Sequence, residues 1–326
     1  MPLIINNIDQ AILDLQAGNP VALPTETVYG LAAMINKPAA IKAVFEMKNR
    51  PLSHPLIVHV GVDWDLNEYV EEIPGYAQQL IKLFWPGPLT LVLKCRKDQI
   101  NPLITGGQDT VAIRCPAHTM AQKVLQKLQT PLVAPSANPF GKISPTTAQH
   151  VKQSFADKKN LLILDGGRCS VGIESTIIDA THYGSYQILR HGLINEQTIA
   201  KVVNTPSVDH ASALRVPGNL ESHYQPQKTL YYFDNKEMLE QFCQKRSGDV
   251  FVIAKTKPAS VSSQFFYPLD EQSSKAAYNL YYNLRKADAS LAMCIAIELP
   301  PLSDEWQGVR ERILKAGFPY AQCISK

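Results

Sequence analysis

The chain has 326 residues, 45% of them hydrophobic and 19% charged, with a formal net charge of +3 and a pI near 8.4. That balance describes an ordinary globular protein long enough for two domains, and it excludes a disordered chain or one whose bulk charge announces nucleic acid. No apolar run approaches the ~18 residues of a membrane span, no secretory-type N-terminal segment is visible, and six scattered cysteines (Cys95, Cys115, Cys169, Cys243, Cys294, Cys323) lack zinc spacing, so reduced thiols and a cytoplasmic location are expected.

Taken in chain order, Ile8, Ile12 and Leu15 form one helical face with Gly18 as its stop. Short strands are predicted at 21–23, 56–60, 89–93, 111–113, 161–164, 176–179 and 186–189, with helices near 38–47, 76–84, 118–128 and 146–153. Many short strands between helices predict an α/β fold with an open, twisted mixed sheet over residues 1–202. Residues 203–228 show no stable period and carry several breakers, which marks a linker. Beyond it, strand 229–233, helix 235–245, strand 250–254, helix 274–287, strand 291–297 and helix 303–316 read as a small parallel α/β domain over 229–326. It has no Gly-x-Gly-x-x-Gly loop, so no nucleotide site of its own is expected.

Chemistry-bearing residues gather between these elements. Lys48-Asn-Arg50-Pro-Leu-Ser-His54 runs straight into the apolar strand 56–60, which carries His59. Pro51 disfavours helical geometry at Arg50, so the heads of Lys48 and Arg50 are expected to project from a loop at a sheet edge, where they suit a phosphate chain. Ala134-Pro-Ser136-Ala-Asn138 and Gly141-Lys-Ile-Ser144-Pro-Thr-Thr147 follow the apolar stretch 131–133 with hydroxyls and an amide. Ser144 also fits a helix cap before Pro145. No Walker sequence, kinase signature, nucleophile elbow or His-Glu-x-x-His is present.

With Pro24-Thr-Glu-Thr27-Val-Tyr-Gly-Leu31, Trp85-Pro-Gly-Pro-Leu-Thr90, Ala112-Ile-Arg114-Cys-Pro116 and Gly172-Ile-Glu-Ser175-Thr-Ile177, these segments resemble the Sua5/YrdC family. They cover residues 1 to about 200 in the family's order, and the following hundred residues resemble its long, two-domain Sua5 form. The resemblance implies a YrdC-like sheet, a small Rossmann-like parallel C-terminal domain and L-threonylcarbamoyladenylate synthase activity. That reaction joins L-threonine, bicarbonate and ATP into threonylcarbamoyl-AMP and pyrophosphate. The product serves the downstream threonylcarbamoyl transferase machinery that modifies position 37 of tRNAs reading ANN codons. Mg²⁺ is expected to arrive with ATP, no permanent metal site and no covalent nucleophile are expected, and a weak direct tRNA contact stays open.

Residue by residue, the resemblance implies ATP contacts from Lys48, Arg50, His54, Thr110, Ser136, Asn138, Ser144, Arg190 and Tyr224. It implies L-threonine contacts from Thr27, His59, Arg114 and Ser175. Each type also has an ordinary role, His59 as a satisfied core histidine and Thr110 as a β-former at a strand start. Two departures stand out. His54 replaces the family's usual asparagine, which adds a charge-dependent donor. The linker reads Pro217-Gly-Asn-Leu-Glu-Ser-His223-Tyr224-Gln-Pro226, without the family's two basic residues. An RNA-binding or ribosome-associated module is the alternative of another class, although no RNP-type aromatic pair or KH clamp is present. Carbamoyl transfer, as in the related hydrogenase-maturation domain, is a third reading that lacks that protein's accessory regions.

Overall fold

A computed structural model describes residues 1–209, 214–218, 223–246 and 248–320. Cys323 and linker positions 210–213 and 219–222 lie outside the described residues. The chain divides into two compact units, Met1–Phe140 with Ser144–Asn219, and Gly141–Ile143 with Leu220–Lys326.

The first unit runs β1 (Leu3–Ile5), α1 (Ile8–Ala17), β2 (Val21–Leu23), β3 (Gly30–Met34), α2 (Pro38–Lys48), β4 (Ile57–His59), α3 (Gly75–Phe84), β5 (Leu89–Lys94), α4 (Pro102–Thr105) and β6 (Thr110–Arg114). It continues through α5 (Thr119–Leu128), β7 (Leu132–Val133), α6 (Ala148–Ser154), β8 (Leu162–Leu164), β9 (Thr176–Asp179), β10 (Gln187–Arg190) and α7 (Glu196–Ala200). The strands form one mixed sheet in the order β1-β8-β2-β3-β7-β4-β6-β5-β9-β10. Local chemistry sets the helix ends. The Asn7 side chain accepts from Asp9 N at 2.9 Å to start α1, and Gly18 closes it at φ 90°, a left-handed conformation that costs glycine little.

Alternation along the strands sends residues to two differently covered faces. Leu31, Ala33, Val58, Leu91, Leu93 and Ile113 pack with α2, α3 and α6 into the main core. On the other face, Val21, Leu23, Ala32 and Met34 pack against α1 and α5. Farther along that face, Ile57, Ala112, Val92 and Ile177 cluster with no helix residue among the described residues. Val216, with Leu214 and Leu189, packs on them instead. A sheet with helices on both sides normally buries both faces, so this stretch is where a ligand can reach it.

The second unit comprises β11 (Thr229–Phe233), α8 (Lys236–Lys245), β12 (Val250–Ala254), β13 (Phe266–Pro268), α9 (Ser273–Ala289), β14 (Cys294–Glu298), α10 (Gln307–Ala316) and β15 (Phe318–Pro319). Its sheet, β13-β12-β14-β11-β15, is parallel throughout, as the sequence leads one to expect. The long elements match expectation to within a few residues. The expected helix at 146–153 starts instead at Ala148, capped by the Thr147 hydroxyl, which accepts from His150 N at 3.2 Å. Ser144 is therefore not its cap. β1, β3, β7, β13 and β15 were not foreseen. β3 reads Gly-Leu-Ala-Ala-Met, a composition without β-branched residues, and the other four are only two or three residues long.

Candidate active site

The loop joining β2 to β3 carries the first site residues and is buried throughout. Thr25 organises it: its hydroxyl donates to Val28 O at 2.6 Å, accepts from Thr27 N at 3.2 Å and lies 2.9 Å from the Thr27 hydroxyl. Loop 135–137 lies alongside, with Leu31 N donating to Pro135 O and Ala137 N to Tyr29 O, both at 2.7 Å. On another side Val171 N donates to Glu26 O at 2.7 Å and Gly172 N to Thr27 O at 3.2 Å. Three separated segments thus share one backbone network.

A polar row crosses the helix-free face. His59 is paired with Arg114, Thr90 with Ile177, and Ile177 with Arg190. The register Leu91↔Ile113 sets Thr90 opposite Arg114. Arg114 is 4% exposed, and its Nη2 donates to Glu26 Oε1 at 2.5 Å, Nη1 to the Thr27 hydroxyl at 2.9 Å and Nε to Gly87 O at 3.2 Å. Glu26 is held in turn, its Oε2 accepting from Ala117 N at 3.0 Å. A guanidinium has five N–H donors, so two remain to grip an anion. Burial first, then the charge of Arg114, pushes the pKa of His59 down to about 3, so the imidazole is neutral. Ser175 Oγ lies 2.8 Å from the Thr90 hydroxyl and accepts from Arg190 Nη2 at 3.1 Å, while Arg190 Nε donates to Ser175 O at 3.0 Å. Gly192 follows so closely that a Cβ there would come within 2.4 Å of Thr176 N.

A second cluster gathers Lys48, Arg50, His54, Ser136, Asn138 and Ser144. The expectation that Lys48 and Arg50 project from a loop at a sheet edge is corrected here. Lys48 is the last residue of α2 and 1% exposed, and β4 lies inside the sheet between β7 and β6. Asn49, left-handed at φ 51°, turns the chain after the helix, and the Lys48 ammonium donates to Ser136 O at 2.5 Å and Asn138 O at 2.6 Å. Burial, reinforced by Arg50 and opposed by Glu174, holds its pKa well below the usual lysine value. Arg50 donates to Pro55 O at 2.7 Å and lies 5.4 Å from the Phe140 ring centre. His54 packs edge-on to the same ring. Burial and the charges of Arg50 and Arg215 lower its pKa, which disfavours the charged role weighed from sequence. The Asn138 amide donates to Pro139 O at 2.9 Å, and the fully buried Ser144 hydroxyl donates to Glu174 Oε1 at 2.6 Å.

One dipeptide joins the two clusters: Glu174 holds Ser144, and Ser175 holds Thr90 and Arg190. Thr110 is not drawn in. It opens β6 on the same face as Arg114 but at the far end of the strand. Tyr224 belongs to the second unit, where its ring stands 5.3 Å from the Arg312 guanidinium and 5.7 Å from the Tyr281 ring. Sequence reasoning missed Glu26, Glu174 and Thr90 as site members. A signal existed, since each carboxylate lies beside a singled-out residue in a run otherwise free of charge, and a carboxylate buried there needs a cation or donor.

The family model described as "Telomere recombination", Sua5/YciO/YrdC, matches residues 14–192, more than half of the chain. The chain belongs to this family. A second model, described as "Threonylcarbamoyl-AMP synthase, C-terminal domain", matches residues 194–317, so the family's two-domain arrangement is present. The chain is 38% identical over 289 residues to threonylcarbamoyl-AMP synthase of Pyrococcus abyssi, covering 84% of this chain and 83% of that protein. It is 34% identical over 321 residues to that of Bacillus subtilis, covering 95% and 92%. The crystal structure of P. abyssi Sua5 complexed with L-threonine superposes with a TM-score of 0.84 at 34% identity, covering 97% of each chain.

Proposed function

We propose that this protein is an L-threonylcarbamoyladenylate synthase, making threonylcarbamoyl-AMP and pyrophosphate from L-threonine, bicarbonate and ATP. The observation that carries the reading is the Glu174-Ser175 junction, which couples a cationic cluster suited to a triphosphate to a hydroxyl-lined row suited to a small zwitterion. Family membership and the named relatives support the same chemistry.

In this reading the two uncommitted donors of Arg114 take the threonine carboxylate, and Thr27, Ser175 and neutral His59 surround its amine and hydroxyl. Lys48, Arg50, Ser136, Asn138 and Ser144 face the phosphates, with Lys48 also fixing the 136–138 loop, and Arg190 and the helix-free apolar face serve the nucleoside. His54 and Thr110 stay assigned to the ATP side. Threonine's amine and bicarbonate condense to a carbamate with loss of water. A carbamate oxygen then forms a bond to the α-phosphorus as the bond to pyrophosphate breaks. No side chain needs to become a nucleophile; the protein contributes positioning, charge neutralisation and exclusion of water. Mg²⁺ riding on the triphosphate would share its charge. Among the described residues no group of three or more His, Cys, Asp or Glu gathers to cage a metal, and Glu26 and Glu174 hold Arg114 and Ser144, a donor set that fits a nucleotide-borne ion. Among the described residues no helix is long and apolar enough to cross a membrane. In this reading the reaction runs in the cytoplasm, upstream of the transferase that modifies tRNA.

Incubation of the pure protein with ATP, Mg²⁺, L-threonine and bicarbonate, followed by mass spectrometry, should reveal threonylcarbamoyl-AMP. ATP turnover that does not depend on threonine would overturn the reading.

A further inference from the structure

A polar residue sits in the buried stripe of α5. Ala121, Val124, Leu125 and Leu128 are apolar, yet Gln122 lies among them at 9% exposure. A buried amide is tolerated where its donors and acceptor find partners, and those of Gln122 do. Its Nε2 donates to Pro116 O at 2.6 Å and to Cys115 Sγ at 3.3 Å, while its Oε1 accepts from Val62 N at 3.1 Å. The partners fix which way the amide faces, because a carbonyl cannot donate and a backbone N–H cannot accept. Burial pushes the Cys115 thiol up to about 11, so the sulfur stays neutral and serves as a weak acceptor.

These partners belong to two segments that leave neighbouring strands. β4 and β6 run parallel with His59 opposite Arg114, so the chain leaves both at the same edge, and Val60 N donates to Arg114 O at 3.0 Å just beyond. Val62 follows closely on His59, and Pro116 on Arg114. The first segment turns tightly, since a Cβ on Gly61 would come within 2.6 Å of the Trp64 ring. The second closes a ring through side chains: Ala117 N donates to Glu26 Oε2 at 3.0 Å, and Glu26 Oε1 accepts from Arg114 Nη2. On the other side Cys115 O accepts from Gly87 N at 2.8 Å, and Gly87 O accepts from Arg114 Nε at 3.2 Å. Pro116 has no N–H, so its carbonyl is its one backbone hydrogen-bonding group, and Gln122 takes it. All of these residues lie in the first unit.

We propose that Gln122 is a positioning residue for the amino-acid site: its amide clamps the segments beyond His59 and Arg114 to α5 and to each other, and so holds the Arg114 fork in line without touching a ligand. This rests on the assignment of Arg114 to the threonine carboxylate made above. A fork pairs bidentately only while two of its N–H groups point at the carboxylate, and a tilt of the guanidinium leaves one bond in place of two. The planar peptide between Pro116 and Ala117 carries a shift of the carbonyl straight to Ala117 N and hence to Glu26. Buried as it is, Arg114 has little room to re-aim once Glu26 moves.

The test uses the full chain. Gln122→Met keeps the length of the side chain and removes its polar atoms, whereas Gln122→Glu keeps an acceptor for Val62 N and, ionised, has no donor for Pro116 O. Gln126→Met places the first change on the exposed face of α5, and Val124→Ala loosens the same helix through its apolar packing alone. Gln122→Met should raise the threonine KM about tenfold, as one of two charge-assisted bonds is lost, with the ATP KM changed far less. Exchange of the Val62 and Ala117 amide hydrogens should quicken in it. Gln122→Glu should match it in threonine KM and in exchange at Ala117 but keep Val62 protected. Gln126→Met should behave as the wild type, and Val124→Ala should lower Tm with the threonine KM unmoved. The inference is overturned if Gln122→Met keeps the threonine KM of Gln126→Met, if the ATP KM rises in step, or if Val124→Ala raises the threonine KM as much at an equal loss of Tm. Should Gln122→Met fold too poorly to assay, Gln122→Glu decides by the same comparisons. An unchanged threonine KM in Arg114→Lys would remove the threonine assignment alone, and exchange at Ala117 in the Gln122 variants would still decide whether the amide holds the Arg114 segment.

Discussion

Arg114→Lys separates recognition from stability. Arg114 engages three of its five donors inside the protein, with Glu26, Thr27 and Gly87 O, and has two left for a ligand. Lysine has three donors in all. An ammonium that satisfies those same internal partners has none left for a carboxylate, although its charge still pairs with Glu26. The threonine carboxylate then loses charge-assisted bonds worth about 1.5–3 kcal/mol, which raises the threonine KM roughly 10- to 150-fold. Arg114→Ala has the same kinetic consequence and a further structural one. It strands the Glu26 carboxylate, 7% exposed, without its cation, a loss of about 3–5 kcal/mol that should lower Tm by roughly 10 °C. Steady-state formation of threonylcarbamoyl-AMP gives KM for each substrate, and calorimetry gives Tm. An Arg114→Lys protein with unchanged Tm and unchanged threonine KM would refute the donor arithmetic and put the amino-acid site elsewhere.

Lys48→Met should weaken ATP binding more than threonine binding and lower stability by about 2–4 kcal/mol, because the carbonyls of Ser136 and Asn138 lose their buried donor; titration calorimetry and urea midpoints measure both. His59 titrates near pH 3 in the folded protein but near 6.5 when unfolded, so the unfolded chain binds the extra proton first and stability falls as pH drops through that window. Between pH 6.5 and 5 the wild type should therefore lose about 2 kcal/mol more than His59→Gln, and equal slopes would show that His59 is not shielded as described. Serine in place of L-threonine should react more slowly by a factor set by one methyl group, about 1–3 kcal/mol, and valine more slowly still if Thr27 or Ser175 binds the hydroxyl; equal rates for all three would exclude a dedicated pocket. Gly192→Ala should cost both stability and threonine use, since its Cβ would press on Thr176 N and displace Ser175; wild-type kinetics and Tm would show that the backbone yields.

How much of this was legible in the sequence depends on how local each cause is. β5, β9, α5 and α9 declare themselves through apolar spacing within a single window, and the Gly18 stop needs only the residues around it. The site residues were legible as types, because loops that join short strands with threonine, serine and arginine hold few alternatives to polar recognition. Their engagement was not. Lys48 looked solvated because charge beside Pro51 usually is, and only carbonyls some ninety residues onward draw its ammonium inside. Arg190 and Thr110 were placed beside strands rather than within them, one residue's difference that decides which face each side chain takes.

The same distance effect explains why bulk charge was silent about a polyanion site. Three arginines, Arg50, Arg114 and Arg190, are buried in the two clusters beside Lys48, whose charge burial disfavours, against two buried carboxylates, Glu26 and Glu174. His59 adds no charge, and neither does His54 at neutral pH. The local surplus is positive while the chain as a whole carries only +3, diluted by acidic residues spread over its surface. Buried like charges repel strongly in a poorly solvated setting, so the arrangement has a standing cost that an anion would relieve. On the assignment proposed above, a triphosphate and an amino-acid carboxylate would bring the needed sign to the two places where the surplus lies. Glu26 pairs with Arg114 and Glu174 favours the charge on Lys48, so each offsets part of that surplus, and on the assignment proposed above the remainder would be met by the substrates.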